Sequence, residues 1–115
     1  MDKGEKTYGI VITDTAKLAY FELLNYFYEH YSLNRGAELA QAVLDAPLVL
    51  IDQPLLGKLE PALEGRQHSY RYLLFRRSNK ATIKIIYFTD QSKRIIYVTD
   101  FFPTERHPDK LTKNS

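Results

Sequence analysis

The hydrophobic positions of the chain follow a helical spacing in its first half and a strand spacing in its second. The second half is the more regular. Residues 70–76, 82–89 and 94–102 read YRYLLFR, TIKIIYFT and RIIYVTDFF. Their Ile, Tyr, Phe, Val and Thr content suits a pleated, half-buried surface, which predicts three strands. The connectors RSNKA and DQSK are short and polar. A parallel return takes a dozen or more residues, so connectors of this length dictate antiparallel hairpins and a β-meander.

Upstream, residues 8–13 (YGIVIT) read as a first strand. Thr13, Asp14 and Thr15 follow, side chains that accept hydrogen bonds from free helix N–H groups. A helix is predicted from about Ala16 to Tyr31, with Ala16, Ala19, Leu23, Tyr26, Phe27 and Tyr31 inward. Its aromatic load exceeds one buried stripe, so some rings must emerge, either at the edge of the core or in a groove for a partner. Asn34 is the candidate cap of a second helix running from Arg35 towards Ile51. Ala37, Ala40, Val43, Leu44, Leu48 and Ile51 would face inward. Pro47 removes a backbone hydrogen bond there, which predicts a kink or a break. Two helices joined by a tight turn form an antiparallel hairpin. Residues 52–68, punctuated by Pro54, Gly57, Pro61 and Gly65, are the least regular stretch. The predicted order is β-α-α-β-β-β, an α+β fold with an antiparallel sheet covered on one face by an αα-hairpin. The first strand is expected at an edge of that sheet.

Composition narrows the picture further. The 115 residues make one domain with one core, and residues 1–6 and 110–115 have little to bury and are expected to be disordered. With 44% apolar and 26% charged residues the chain is an ordinary globular protein. There is no cysteine, hence no disulfide or thiolate metal site, in keeping with a cytoplasmic location. No leader-like segment and no apolar run of about 18 residues is visible, so no membrane partner is expected. The charge is divided unevenly. Residues 1–65 carry 5 Lys+Arg against 10 Asp+Glu, and residues 66–115 carry 11 against 4. The basic half is the strand half, a footprint that suits a polyanion or, equally, charged edges that keep a sheet from pairing with another.

The layout and several of its residues resemble the RelE/ParE superfamily of toxins from type II toxin–antitoxin (plasmid-stabilisation) systems. The likeness runs from Tyr8 to about Leu111. It is carried by the first strand with Thr13-Asp14-Thr15-Ala16 and a long helix, and by Pro54-Leu55-Leu56-Gly57. Leu63-Glu64-Gly65 and Tyr70-Arg71 continue it, followed by Ile86-Tyr87 and Arg106-His107-Pro108. The resemblance implies a cytoplasmic toxin held inactive by a cognate antitoxin protein. Two activities share the fold: cleavage of mRNA on the ribosome, as in RelE-like members, and inhibition of DNA gyrase without nuclease chemistry, as in ParE-like members. A degenerate member that only binds its antitoxin is the third alternative.

A metal-independent ribonuclease needs a base for the ribose 2′-hydroxyl, an acid for the leaving 5′-oxygen and fixed positive charge at the phosphate. Glu60, His68, Tyr87, Glu105 and His107 are the candidate bases and acids. Arg71, Arg76, Arg77, Lys84, Arg94 and Arg106 are the candidate clamps. The resemblance singles out Arg71, Lys84 and Arg106 as basic site positions. It also places Glu60 near a catalytic glutamate of some members and His107 at a C-terminal acid. Leu73 stands where RelE-like enzymes carry a second lysine, a departure that argues against cleavage. The bland readings are an Arg71 paired with Glu60 or Glu64, a Tyr87 ring at the core edge, a His107 that merely ends the chain, and His30 and His68 as surface histidines. No closely spaced metal-ligand set, P-loop, dinucleotide fingerprint or nucleophile elbow is present, and no metal or small-molecule cofactor is expected.

Overall fold

In a computed structural model the described residues are 7–77 and 82–104. Strand β1 (Gly9–Ile12) leads into helix α1 (Asp14–His30), and α2 (Leu33–Asp45) runs into a 3-10 helix over Ala46–Ile51. A two-residue strand β2 (Lys58–Leu59) follows, then a 3-10 turn (Pro61–Leu63) and strands β3 (Arg71–Arg76), β4 (Thr82–Asp90) and β5 (Ile95–Pro103). The sheet order is β1-β5-β4-β3-β2. β1 pairs with β5 in parallel and every other pair is antiparallel. The expected α+β architecture is therefore present, with β1 at one edge and an unforeseen short strand at the other. Residues 1–6 and 110–115, expected to be disordered, lie outside the described residues.

Local chemistry explains the helix ends. Of the three polar residues before α1, Thr13 is the cap, its hydroxyl accepting from the Ala16 N–H at 3.2 Å. Ser32, rather than the expected Asn34, caps α2 by accepting from the Arg35 N–H at 3.1 Å. The first helix ends so soon before it that Asn34 already lies inside the next one. Pro47 breaks the second helix into two pieces, and the 3-10 segment turns Leu50 and Pro47 inward. The buried face of α2 is Gly36, Leu39, Ala40 and Val43. Ala37 and Leu44, expected inward, are exposed because the buried stripe of α2 runs through Gly36, Leu39, Ala40 and Val43 instead. Leu48 is exposed because the 3-10 winding from Ala46 turns Pro47 and Leu50 inward in its place.

Alternation along the strands divides the sheet into two faces. One packs Ile83, Ile85, Tyr87, Ile96, Val98 and Phe101 against Ala16, Ala19, Leu23 and Phe27 of α1 and Leu39 and Val43 of α2. The other carries a small cluster of Leu63, Ile86 and Phe102, flanked by Tyr70 and Tyr72. In β5 the register shifts, Ile86 pairing with Asp100 and Tyr87 with Val98, so Thr99 is a bulged residue. No helix among the described residues is long and apolar enough to cross a membrane.

Candidate functional site

The register separates two candidates from two others. Arg71 pairs with Tyr87, and Leu74 pairs with Lys84. Directly opposed residues share a face and positions three apart on a strand do not. Arg71 and Tyr87 therefore lie on the helix side, and Lys84 on the open side. Leu73 shares the side of Arg71 and packs against the helix-side core. A lysine at 73 would not have added charge to the face that carries Lys84.

On the open face, Lys84 Nζ donates to Glu60 Oε1 at 2.8 Å. Glu60 follows β2 and caps the 3-10 turn, its Oε2 accepting from the Ala62 N–H at 3.0 Å. Its own N–H donates to the Tyr70 carbonyl at 2.9 Å. The carboxylate is thus buried, with both oxygens hydrogen-bonded, as a buried charge requires. Lys84 is half-buried and its ammonium lies 4.4 Å from the centre of the Tyr72 ring, a cation–π contact. A cation held this way is prepositioned to meet an anion arriving over the sheet.

At the loop end of the helix-side face, Gly57 is enclosed by two of the other candidates. Its N–H donates to the Tyr87 hydroxyl at 2.9 Å, and its carbonyl accepts from Arg71 Nη1 at 2.7 Å. A Cβ at Gly57 would lie 2.6 Å from the Tyr72 carbonyl and 2.8 Å from the Tyr87 hydroxyl, so only glycine fits. Tyr87 is fully buried. Burial pushes its phenol above the ordinary value, and the Gly57 hydrogen bond and the Arg71 charge offset this only in part. The hydroxyl keeps its proton at neutral pH and serves as an acceptor. Thr89, donating to the Pro54 carbonyl at 3.3 Å, fastens the same loop to β4.

A row of rings crosses the open face beside this loop. His68 stacks on Phe88 with centroids 3.8 Å apart and planes 6° from parallel, and Phe88 stacks on Tyr97 at 5.0 Å. Tyr70 meets Phe88 edge-on at 5.5 Å. His68 also lines two adjoining clefts, of about 510 and 400 Å³. His68, a candidate base or acid whose bland reading is a surface histidine, is indeed exposed but is held by this stack. The available signal was the in-register pair Phe88 and Tyr97, which only the hairpin alignment reveals.

The remaining clamps are scattered. Arg77 is buried, its guanidinium 4.7 Å from the Tyr26 ring on the helix side. Arg76 ends β3 at the surface, and Arg94 closes the β4–β5 turn in a left-handed conformation with φ 55°. Glu105, Arg106 and His107 lie outside the described residues. Among the described residues no group of three or more His, Asp or Glu side chains is placed to hold a metal ion.

Two helices packed on one face of a mostly antiparallel five-stranded sheet make this a RelE-like fold. Among solved structures, the chain is similar to a double arginine mutant of the E. coli toxin RelE in the free state. The TM-score is 0.55 and the identity 12%, over 94% of this chain and 93% of that one. No family model matches the sequence. No curated protein matches it at a significant level either.

Proposed function

We propose that the chain is the toxin of a type II toxin–antitoxin pair and acts as a ribosome-dependent, metal-independent mRNA endonuclease. The observation that carries this reading is the Glu60–Lys84 pair on the open face of a RelE-like sheet. Lys84 supplies positive charge to the scissile phosphate as charge develops there. Glu60, enclosed and with both oxygens engaged, is the positioning residue that orients the ammonium, and the 2′-hydroxyl proton leaves to water. Arg106 and His107 supply a second cation and the acid for the 5′-oxygen. The last described residue, Thr104, donates its N–H to the Thr82 carbonyl at 3.0 Å, two residues from Lys84 on β4. Arg71 and Tyr87 brace the loop that carries Glu60, and Arg71 also faces the larger cleft.

The partner that silences the toxin is a cognate antitoxin. Leu18 and Phe21 of α1 are 67% and 57% exposed, and Leu33 at the start of α2 is 74% exposed. Such apolar surface on one helical hairpin suits an amphipathic segment of a partner protein.

Induction of the chain in growing bacteria tests the reading against gyrase inhibition. Fragmented messages with unchanged plasmid supercoiling support it. Intact messages with altered supercoiling assign the chain to the ParE-like activity instead.

A further inference from the structure

We propose that the cleft of about 510 Å³ between residues 67–71 and the β4–β5 turn is a nucleobase subsite, in which one base of single-stranded RNA stacks on His68. The proposal rests on the nuclease reading for the identity of the polymer, and on the site's own geometry for the rest. Phe88 is stacked on both His68 and Tyr97, so the row of parallel rings ends in the exposed imidazole of His68. A further flat ring continues that row, and base–aromatic stacking is the sequence-tolerant way in which proteins hold unpaired nucleotides. The cleft is of small-ligand size. The rest of its lining is the apolar Leu55, the carboxylate of Asp90 at the rim, and Gln67, Ser69, Thr89 and Gln91, whose amides and hydroxyls offer donors and acceptors to a base edge.

Arg71 adds the phosphate contact. Only its Nη1 is engaged, by the carbonyls of Leu55 and Gly57, which fixes the guanidinium at the cleft wall. Its Nη2 and Nε have no partner among the described residues. A guanidinium anchored on one nitrogen and open on the others is suited to a phosphate oxygen. Rings, amide groups and one arginine together match a nucleotide better than an apolar peptide side chain.

The test is fluorescence anisotropy with a labelled, uncleavable 2′-O-methyl single-stranded RNA hexamer, at fixed salt and without ribosomes. His68→Ala is expected to weaken binding by about tenfold, and His68→Trp to bind at least as tightly as the parent chain. The chain has no tryptophan of its own, so quenching of the new indole on RNA addition reports the stacking directly. Undetectable binding by the parent chain, or equal binding by His68→Ala, overturns the proposal. So does restored binding in His68→Lys but not in His68→Trp, which would assign the effect to charge. The two readings fail separately. Message cleavage that is indifferent to His68 removes the subsite and keeps the nuclease. Stacking-dependent binding without any cleavage does the reverse.

Discussion

Glu60 and Lys84 are 24 residues apart in the chain and 2.8 Å apart on the open face of the sheet. The glutamate is almost wholly enclosed and the lysine is not, its side chain 24% exposed. Loss of either partner therefore has unequal consequences. Lys84→Met leaves a buried carboxylate with one hydrogen bond and is expected to cost about 2 kcal/mol. Glu60→Gln keeps an oxygen for the Ala62 N–H and is expected to cost about 1 kcal/mol. Urea denaturation of the two variants checks the order, and equal losses would show that burial of the carboxylate does not govern the pair.

Gly57 is the tightest backbone position in the loop. Gly57→Ala drives a methyl group into the Tyr72 carbonyl and the Tyr87 ring. The expected loss is about 2–3 kcal/mol, the usual cost of overpacking a site that cannot give. Thermal unfolding checks it, with the midpoint about 10 °C lower for a domain of this size.

Alkaline stability follows from Tyr87. Its phenol has a raised pKa in the fold, above the ordinary value near 10.0. The neutral form is the one the fold favours, so this contribution is complete below the unfolded-state value. It is lost as pH rises through the higher folded value. Tyr20 is raised in the same direction by burial, first of all, and by the nearby Tyr28 and Asp45. Stability should therefore fall above about pH 10. Tyr87→Phe should flatten part of that fall while costing about 1–3 kcal/mol at neutral pH, because the buried Gly57 N–H loses its acceptor. Denaturation midpoints measured between neutrality and strong alkali check both statements.

The caps of α2 separate sequence reading from structure in a single experiment. Ser32→Ala should cost about 1 kcal/mol, and Asn34→Ala should be close to neutral. The reverse order in urea denaturation would restore Asn34 as the cap.

Much of the fold was legible because its signals are local. The three meander strands, the Thr13 cap and the break at Pro47 each depend on a few adjacent residues. The inward face of α2 was not: its apolar residues allow more than one stripe, and packing buries the one through Leu39 and Val43 and leaves Leu44 out, while the 3-10 winding after Asp45 buries Leu50 and leaves Leu48 out. β2 is two residues long and borrows its pairing from β3, so no periodicity announces it. The candidate site shows the same divide. Arg71, Lys84, Glu60 and Tyr87 were each visible as residue types in the right region. Which of them share a face is fixed by register, and register placed Glu60 with Lys84 and Arg71 with Tyr87. The ring row of His68, Phe88 and Tyr97 joins a loop to two strands and has no signature along the chain.

Primer extension on a reporter mRNA in a purified translation system, with and without ribosomes, tests the central claim most directly. The parent chain, Lys84→Ala and Lys84→Arg are compared at a temperature where all three are folded. Cuts are expected only when ribosomes are present, absent with Lys84→Ala and restored at least in part by Lys84→Arg, which keeps the charge. An intact message with the folded parent chain, or cuts that persist unchanged in Lys84→Ala, would contradict that claim.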